Sequence, residues 1–448
     1  MINDLIQFIH ETTISEMPKI VRRQASLCIL DLIGVGIAGS TTNLSQIIRN
    51  HSLENFNSEK NKTQILFDGR YCSPAGSALA GGMTIDAMDA HDGFNDAKGH
   101  IGCGIFPAAI AFSQATGSIN SHSFLTDIII GYELGSRLAT ALHGTTKDYH
   151  TSGAWIAIAV AAIGARNLGL NKKQTMHALG IAEYHGPRSQ MMRCIDYPTM
   201  LKDGSGFGAM AGVSAAYLAQ NNFTGAPAIT IDSAEASKYW ETLGNQWLIN
   251  KQYFKPYPVC RWAQAPIEAV LTLKRKHNFL TAEINKIEIR TFHEAVRLAV
   301  NEPTTTEEAQ YSTSYPCAAA LVNGDVGVKE VSEISFNQPE IKRISKLLTM
   351  VEDDYCNSKF PNQRYASATI ELASGKKLKT AFLSPRWTAE EPPTSTELKS
   401  KFFKLTYPVI GKTRSENIEA AVRDLKNNSN LNILTSLLYE PTTSRSDK

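Results

Sequence analysis

The sequence has little of what a nucleic-acid-binding protein needs. Its 448 residues carry a formal net charge of only +2, and 20% of them are charged. Proteins that bind nucleic acids usually show a marked basic excess on one face. The basic stretch Leu273–His277 is short and is typical of a solvated helix face. We therefore expect no nucleic-acid partner.

The sequence also lacks a disulfide framework and a long hydrophobic run. Its seven cysteines include no C-x-x-C pair, and an odd number at wide spacing fits reduced thiols. The most apolar segment, Leu27–Ala38, contains Asp31 and is too short for a bilayer, so it predicts a buried helix. The first residues lack a basic region followed by an apolar run, which indicates no signal peptide. We expect a cytoplasmic protein with no membrane partner.

The pattern of apolar and polar residues changes twice along the chain. The chain is also longer than a domain with one hydrophobic core usually is. Residues 1–255 predict almost continuous helix, in which several helices are rich in Ala and Gly and can pack closely together. Helix returns after Pro392-Pro393. We expect a mainly α protein: a large helical domain built from both chain ends, residues 1–255 and 395–448, and a smaller α+β domain, residues 256–394, inserted between them.

Strand patterns are confined to this inserted segment. Residues 284–291 alternate apolar and polar side chains, and residues 347–353 are a second candidate strand. Residues 366–383 predict a hairpin that turns at Ser374-Gly375.

Residues 86–104, DAMDAHDGFNDAKGHIGCG, hold four aspartates, two histidines and one cysteine. A calcium loop counted from Asp89 has its glycine one place too early and His100 where glutamate is required. A zinc site needs His or Cys ligands at suitable spacing, and neither histidine has such a partner nearby. Asp86, Asp89 and Asp92 fall at helical spacing on one face, where Arg or Lys side chains could pair with them. We predict neither a metal nor a cofactor.

Three titratable residues stand just ahead of helices rich in small side chains. His100 precedes a helix that we expect to begin at Pro107, because proline suits the first helical turn. His150 and Lys202 each precede a run that begins with capping residues. Helix starts carry free N–H groups and partial positive charge, so three converging starts would bind a molecule with two or three carboxylates. Histidine can also move protons near neutral pH.

Several collinear segments resemble the MmgE/PrpD family. The run AGSALAGGMTIDAMDAHDGFNDAKGHIGCGIFPAAIAFSQATG is similar to the family's AALANGTAAHALDFDD…HPSAPVIPAALALAE. Later, AQYSTSYPCAAALVNGDV is similar to A(R/K)FSxPYxxAxALxxG, and STELKSKFFKL to S.EEL..KF. The likeness runs through at least six segments and covers most of the chain.

The resemblance implies a helical domain built from both chain ends with a smaller α+β domain between them. It also implies a cofactor-independent homodimer that removes a proton next to a carboxylate in a polyanionic substrate. Activities in the family include dehydration of 2-methylcitrate, decarboxylation of cis-aconitate and epimerisation of iminodisuccinate.

Carried over by position, the resemblance implies an active site and a set of substrate-binding residues. The implied catalytic residues are Asp92, His100, His150, Lys202 and Tyr315. The implied substrate-binding residues are Arg188, Lys255, Arg261 and Gln264, with Arg193 a weaker candidate. Within residues 86–104 this leaves Asp92 and His100 as the functional pair, Asp86 and Asp89 as structural residues, and His91 and Asp96 as bystanders.

The sequence departs from the family pattern at four positions. Gly93 stands where Ser or Thr is frequent, and Ile101 where proline usually follows the histidine. Ser205 and Gln264 stand where histidines are common.

We therefore predict a lyase for a small di- or tricarboxylate, acting by dehydration or decarboxylation. Lys202 would stabilise the enolate-like charge, His100 or His150 would move a proton, and Asp92 would orient a neighbour or donate to a leaving group. Tyr315 would close over the site. An epimerase of a dicarboxylate and a non-catalytic carboxylate-binding protein are the alternatives.

Overall fold

The computed structural model describes residues 2–427 and 429–442, and these residues are mainly helical. The helices are α1 Ile2–Glu11, α2 Lys19–Gly39, α3 Asn43–Asn55, α4 Pro74–Asp86, α5 Gly102–Thr116, α6 Ser121–Thr145, α7 Gly153–Asn167, α8 Lys172–His185, α9 Met191–Asp196, α10 Ser205–Gln220, α11 Ile229–Asp232, α12 Arg261–His277, α13 His293–Val296, α14 Thr306–Tyr311, α15 Tyr315–Asn323, α16 Glu333–Phe336, α17 Pro339–Lys346, α18 Asp354–Lys359, α19 Ser395–Asp424 and α20 Asn432–Tyr439. The strands are β1 Thr63–Gln64, β2 Tyr71–Cys72, β3 Gly93–Phe94, β4 Gln252–Tyr253, β5 Ile284–Thr291, β6 Leu348–Glu352, β7 Ala366–Leu372 and β8 Lys377–Lys379.

Helices α4, α5, α7 and α10 pack backbone against backbone, as their small side chains predict. A Cβ atom on Gly82 of α4 would lie 2.6 Å from the Cα atom of Gly206 of α10. One on Gly208 would lie 2.5 Å from the carbonyl oxygen of Gly153 at the start of α7. Only glycine fits at these crossings, and the close approach brings the starts of α5, α7 and α10 into one region.

Two large hydrophobic cores organise the described chain. The first contains side chains from α1 to Phe254 and, from the last helices, Leu398, Phe402 and Leu434. The second is built mainly from Tyr257–Leu378 and includes the inner faces of α12, α15 and the larger sheet. The two cores correspond to the regions that differ in sequence pattern. The domain boundaries themselves stay a prediction.

The larger sheet has the order β6-β5-β7-β8, with β5 parallel to β6 and antiparallel to β7. All three predicted strand segments are present, and the β7–β8 hairpin turns at Gly375 with a φ of 84°. Since a positive φ favours glycine, the predicted turn has a physical basis.

Two local expectations around residues 86–104 are wrong. Helix α4 ends at Asp86, and Asp89 has a φ of 40°, so Asp86, Asp89 and Asp92 do not share a helical face. Helix α5 begins at Gly102, and Pro107 lies inside it. The ring of Pro107 packs against Gly81 of α4. A Cβ atom on Gly81 would lie 2.6 Å from the Cβ atom of Pro107, so the glycine makes room for the proline.

Within the described residues no single helix has the length and apolar character to span a membrane. One bent pair, α2 with α3, passes that test on length and composition, and its two helices meet at 93°. Most of α2 is buried in the protein, including Cys28–Gly39, as a core helix would be.

Candidate active site

A cavity of about 270 Å³ lies among the segment after α4, helix α9, the start of α12 and residues 360–364. Its volume is close to the small end of the range for ligand pockets. Three of the predicted site residues line it: His100, Lys255 and Arg261. Asp203, which follows the predicted Lys202 in the sequence, lines it as well.

His100 is held as a neutral base. Its Nδ1 lies 2.6 Å from the carbonyl oxygen of Asp92, and because a carbonyl only accepts, Nδ1 carries the proton. The Nε2 atom, left with its lone pair, lies 3.7 Å from Oδ1 of Asp89. Burial and the nearby His91 and Lys255 lower the pKa of His100 below its ordinary value. The ring is therefore uncharged at neutral pH and can accept a proton at Nε2.

Asp89 is a carboxylate of the cavity wall, where the sequence analysis expected a structural residue on a helix face. The Lys255 ammonium donates to Oδ1 of Asp89, and to its carbonyl oxygen at 2.9 Å. Burial opposes the charge on Asp89, but Lys255 and His100 outweigh it and lower the pKa of Asp89. Burial likewise opposes the charge on Lys255, but Asp89 outweighs it and raises the pKa of Lys255. The cavity thus contains a stable ion pair whose cation can also attract a substrate carboxylate.

Asp92 does not reach the cavity wall. It is fully buried, and Oδ2 accepts a hydrogen bond from the Tyr132 hydroxyl. Burial, with the nearby Asp31, raises the pKa of Asp92 to about 6, although Tyr132 acts in the opposite sense. Its contribution to the site is the backbone carbonyl that orients His100. The expectation that its side chain donates to a leaving group finds no support in this position.

Arg261 is positioned by an aromatic ring. Its guanidinium lies 4.1 Å from the ring centroid of Tyr253, and Nη1 donates to the carbonyl oxygen of Phe254 at 3.2 Å. Burial lowers the pKa of Arg261 to about 10, so it remains a cation. Strands β3 and β4 pair Gly93 with Tyr253, and a Cβ on Gly93 would lie 2.5 Å from the Tyr253 hydroxyl. Gly93 thus makes room for the tyrosine that supports Arg261.

Two further cations line the cavity and were missed by sequence reasoning. Arg364 is buried, donates to Asn95 and has an Nε atom with no hydrogen-bond partner among the described residues. Lys98 lies over the Tyr149 ring at 5.0 Å. Lys98 lies two residues before His100 but was not singled out among residues 86–104. Arg364 is far from the other site residues in sequence, so only the fold reveals it.

Lys202 lies directly behind the wall. Its ammonium donates to Oε1 of Gln310 at 2.5 Å and lies 5.4 Å from the ring centroid of Tyr311, which does line the cavity. Burial lowers the pKa of Lys202. The backbone φ of 50° is unusual for a residue with a side chain and places Lys202 at the tight turn before α10.

Asp203 occupies the cavity wall beside Lys202. Its Oδ2 accepts from the Ser152 hydroxyl, and the same Ser152 oxygen accepts from the backbone N–H of His100 at 2.8 Å. Burial, with Asp86 and Asp89 nearby, raises the pKa of Asp203 to about 8. Ser152 thereby links the loop of His100, the start of α7 and the turn before α10.

The other predicted residues lie outside the cavity lining. The backbone N–H of His150 donates to Nε2 of His143 at 3.0 Å, and its own Nδ1 has no partner among the described residues. The Tyr315 hydroxyl donates to the carbonyl oxygen of Glu330 at 2.9 Å, and the Tyr315 ring packs in the second core. The tyrosines that line the cavity are Tyr149, Tyr253 and Tyr311.

Arg188, Arg193 and Gln264 are also absent from the wall. Gln264 is fully buried and donates to the carbonyl oxygens of Tyr257 and Val259, each at 3.0 Å. It therefore stabilises the chain that enters α12, and its position gives it no contact with a ligand in the cavity.

His91, expected to be a bystander, is fully buried and its Nε2 lies 3.1 Å from Oδ1 of Asp86. Possible metal-ligand atoms of Asp89, His91 and His100 lie within 4.8 Å of one another. The Lys255 ammonium already binds Asp89, however, and its charge disfavours a second cation at that carboxylate.

The rest of the wall is mainly apolar, apart from the half-buried Glu294, which forms an ion pair with Arg297 at 2.9 Å. Met191, Met192 and Ile195 contribute from α9, and Trp262 and Phe360 from the α+β part of the chain. The rings of Trp262 and Phe360 are 5.6 Å apart in an edge-to-face contact.

Comparison with known proteins places these features in a family. The MmgE/PrpD N-terminal domain matches residues 3–237 and the MmgE/PrpD C-terminal domain matches residues 257–427. The chain is 24% identical to human (Homo sapiens) cis-aconitate decarboxylase, over 97% of the chain and 93% of that protein. It is 22% identical to the cis-aconitate decarboxylase-like protein oryM of Aspergillus oryzae, over 97% and 96%. It is 23% identical to a probable 2-methylcitrate dehydratase of Saccharomyces cerevisiae, over 86% and 80%.

Proposed function

The chain belongs to the MmgE/PrpD family, and from that premise we propose that it is a lyase for a small di- or tricarboxylate. The observation that carries the proposal is the neutral His100, whose Nε2 lone pair stands in a cavity with Lys255, Arg261, Arg364 and Lys98. Cations bind and neutralise a polyanionic substrate, and a neutral imidazole can remove a proton next to one of its carboxylates.

Dehydration is the reaction that we favour. Nε2 of His100 takes the α-proton, and the electron pair of the C–H bond moves toward the adjacent carboxylate, where Lys255 and Arg261 stabilise the charge. The electron pair then forms the C=C bond, and the β-hydroxyl takes a proton from an acidic side chain of the cavity wall and leaves as water. We propose no metal or organic cofactor, because every step has a side chain to perform it.

Decarboxylation is the second candidate, since several similar proteins are named cis-aconitate decarboxylases. Epimerisation would need a second base across the substrate, and in this arrangement Lys202 is the nearest candidate, one layer behind the wall. A non-catalytic carboxylate-binding protein would use the same cations without exchanging a proton.

The test is replacement of His100 by asparagine, whose amide can still donate to the Asp92 carbonyl. The wild type and His100→Asn are incubated with 2-methylcitrate, cis-aconitate, citrate and malate in deuterated water, with and without a chelator, and followed by NMR. We expect turnover of at least one acid and a loss of about 10²- to 10⁴-fold in His100→Asn. The exposed His51, replaced in the same way, is the control. Full activity in His100→Asn would exclude His100 as the base, and sensitivity to the chelator would restore a metal mechanism.

We also propose that the protein is a cytoplasmic homodimer. All seven cysteines are free and buried, as expected in a reducing compartment. Tyr197 and Leu201, which precede Lys202 in the sequence, are 74% and 69% exposed, and we propose that a second copy covers them. Leu201→Glu should then lower the mass measured by light scattering, and an unchanged mass would place the interface elsewhere.

A further inference from the structure

The apolar part of the cavity wall has no role in the proposed reaction. Met191, Ile195 and Tyr311 belong to one packed cluster, and Trp262 and Phe360 to an adjoining one. A bare polycarboxylate has no group to place against these side chains, and its charged groups would lose hydration there without a partner. The polar side chains of the wall already suffice to hold the carboxylates.

We propose that the substrate carries an apolar substituent, an alkyl or aryl group, that packs against Met192, Ile195 and Trp262 while its carboxylates lie on Lys255, Arg261 and Arg364. This inference rests on the proposed function and narrows its substrate class. Since each buried methylene contributes ~0.8 kcal/mol of transfer free energy, affinity should rise about fourfold per methylene until the wall is filled.

The test measures binding by calorimetry for succinate and for its methyl, propyl and pentyl derivatives. Affinity should increase along the series in the wild type, and Met192→Gln should flatten the increase without weakening succinate itself. Met176→Gln, at a half-buried methionine of α8 outside the cavity, is the matched control. If succinate binds but affinity stays equal or falls along the series, the apolar subsite is wrong and the proposed function is unaffected. If no member binds and no carboxylate of the panel exchanges a proton, the proposed function fails as well.

Asp203 supports a second inference on independent geometry. It is only 6% exposed and lines the cavity, and while Oδ2 accepts from Ser152, Oδ1 has no partner among the described residues. Buried carboxyl oxygens nearly always have a partner, so an open one at a cavity wall indicates contact with a ligand.

The charges around Asp203 favour its acid form. Asp86 and Asp89 repel a negative charge there, and burial raises the pKa of the carboxyl most of all, to about 8. The facing Tyr311 hydroxyl and Cys194 thiol are neutral, because burial raises the pKa of each. The ammonium of the adjacent Lys202 is bonded to Gln310. Since Ser152 donates to Oδ2, the proton belongs on Oδ1, the atom that is free to donate.

We propose that Asp203 is the catalytic acid of the dehydration. The C–H bond breaks first, its proton goes to Nε2 of His100, and its electron pair is held as enolate-like charge on the adjacent carboxylate. That electron pair then forms the C=C bond as the hydroxyl leaves. The C–O bond breaks, and the departing hydroxyl takes the proton from Oδ1 of Asp203 and leaves as water. Asp203 is then reprotonated from the His100 imidazolium or solvent. This step also rests on the proposed function.

The test separates α-proton exchange from net dehydration. In Asp203→Asn, which can hydrogen-bond but cannot supply a proton, dehydration should fall at least about 100-fold while exchange stays within about threefold of the wild type. Asp127→Asn is the control, because Asp127 is also fully buried with a pKa raised by burial, but lies on α6 outside the cavity. Equal loss of exchange and dehydration would indicate a structural role, and undiminished dehydration would remove Asp203 from the chemistry.

The wild type provides a second measurement that does not depend on the folding of the variant. Net dehydration should fall above about pH 8, where Asp203 loses its proton, whereas exchange should continue. A common alkaline limit for both reactions would overturn the assignment. Absence of both reactions with every substrate would instead contradict the proposed function.

Discussion

Two buried aspartate–lysine pairs lie close together in this protein, and burial affects them differently. At the cavity, Lys255 lowers the pKa of Asp89 despite burial, and Asp89 in turn raises the pKa of Lys255. Deeper in the protein, Asp31 and Lys401 are 2.5 Å apart, yet burial raises the pKa of Asp31 and lowers the pKa of Lys401. The pair at the cavity keeps its charges available to a ligand, whereas the deep pair joins α2 to α19. The same chemistry therefore serves binding in one place and folding in the other.

Removing the lysine of the deep pair should have the largest effect on stability. Lys401→Met leaves Asp31 in the core, where its Oδ2 already lacks a partner among the described residues. We expect the free energy of unfolding in urea to fall by ~3–5 kcal/mol. Lys399→Met is the control on the same helix, since Lys399 is 37% exposed and pairs with Glu419 at 2.9 Å, and it should cost less than ~1 kcal/mol. Equal losses in the two variants would contradict the structural role of the deep pair.

The corresponding change at the cavity should affect binding more than stability. In Lys255→Met, water entering the cavity can hydrate Asp89, so the cost to folding should be smaller than in Lys401→Met. Loss of charge-assisted hydrogen bonds worth ~1.5–3 kcal/mol should weaken polycarboxylate binding by about 10- to 100-fold in calorimetry. Lys251→Met, at an exposed lysine, is the control. Unchanged affinity in Lys255→Met would exclude this lysine from carboxylate binding.

Asparagine at Asp89 and at Asp92 should change stability in opposite directions. Asp92 has a folded pKa of about 6, above its ordinary 3.8, so its contribution to stability declines as pH rises between these values. Asp92→Asn should therefore unfold like the wild type at pH 4 and be more stable at pH 7, by on the order of 1–3 kcal/mol.

Asp89 has a lowered folded pKa, so its stabilisation is present at neutral pH and is lost as pH falls through that folded value. Asp89→Asn should be less stable than the wild type at pH 7. Urea unfolding at the two pH values measures both variants. Changes of the same sign at pH 7 would show that the two carboxyls have similar environments.

The sequence was sufficient to identify the family from its collinear motifs. It was also sufficient to predict the mainly α fold and the strands of the inserted segment, because periodicity and turn residues are local signals. It also identified His100, Lys255 and Arg261, which reach the cavity. It placed Asp89 on a helix face, which is wrong, because this residue has a left-handed φ and an aspartate gives no sequence signal for that conformation. Arg364 and Asp203 depend on the meeting of segments distant in the chain, which one sequence does not reveal.

The β3–β4 contact makes two positions interdependent. Since Tyr253 fills the space that a side chain at residue 93 would need, Gly93→Thr alone should clash, and the threonine would require a smaller residue at 253. A smaller residue there would in turn remove the ring beneath Arg261. Recombining this sequence with a relative that has Ser or Thr at the corresponding position therefore requires both segments to be exchanged together, and residues 93 and 253 should covary among close relatives.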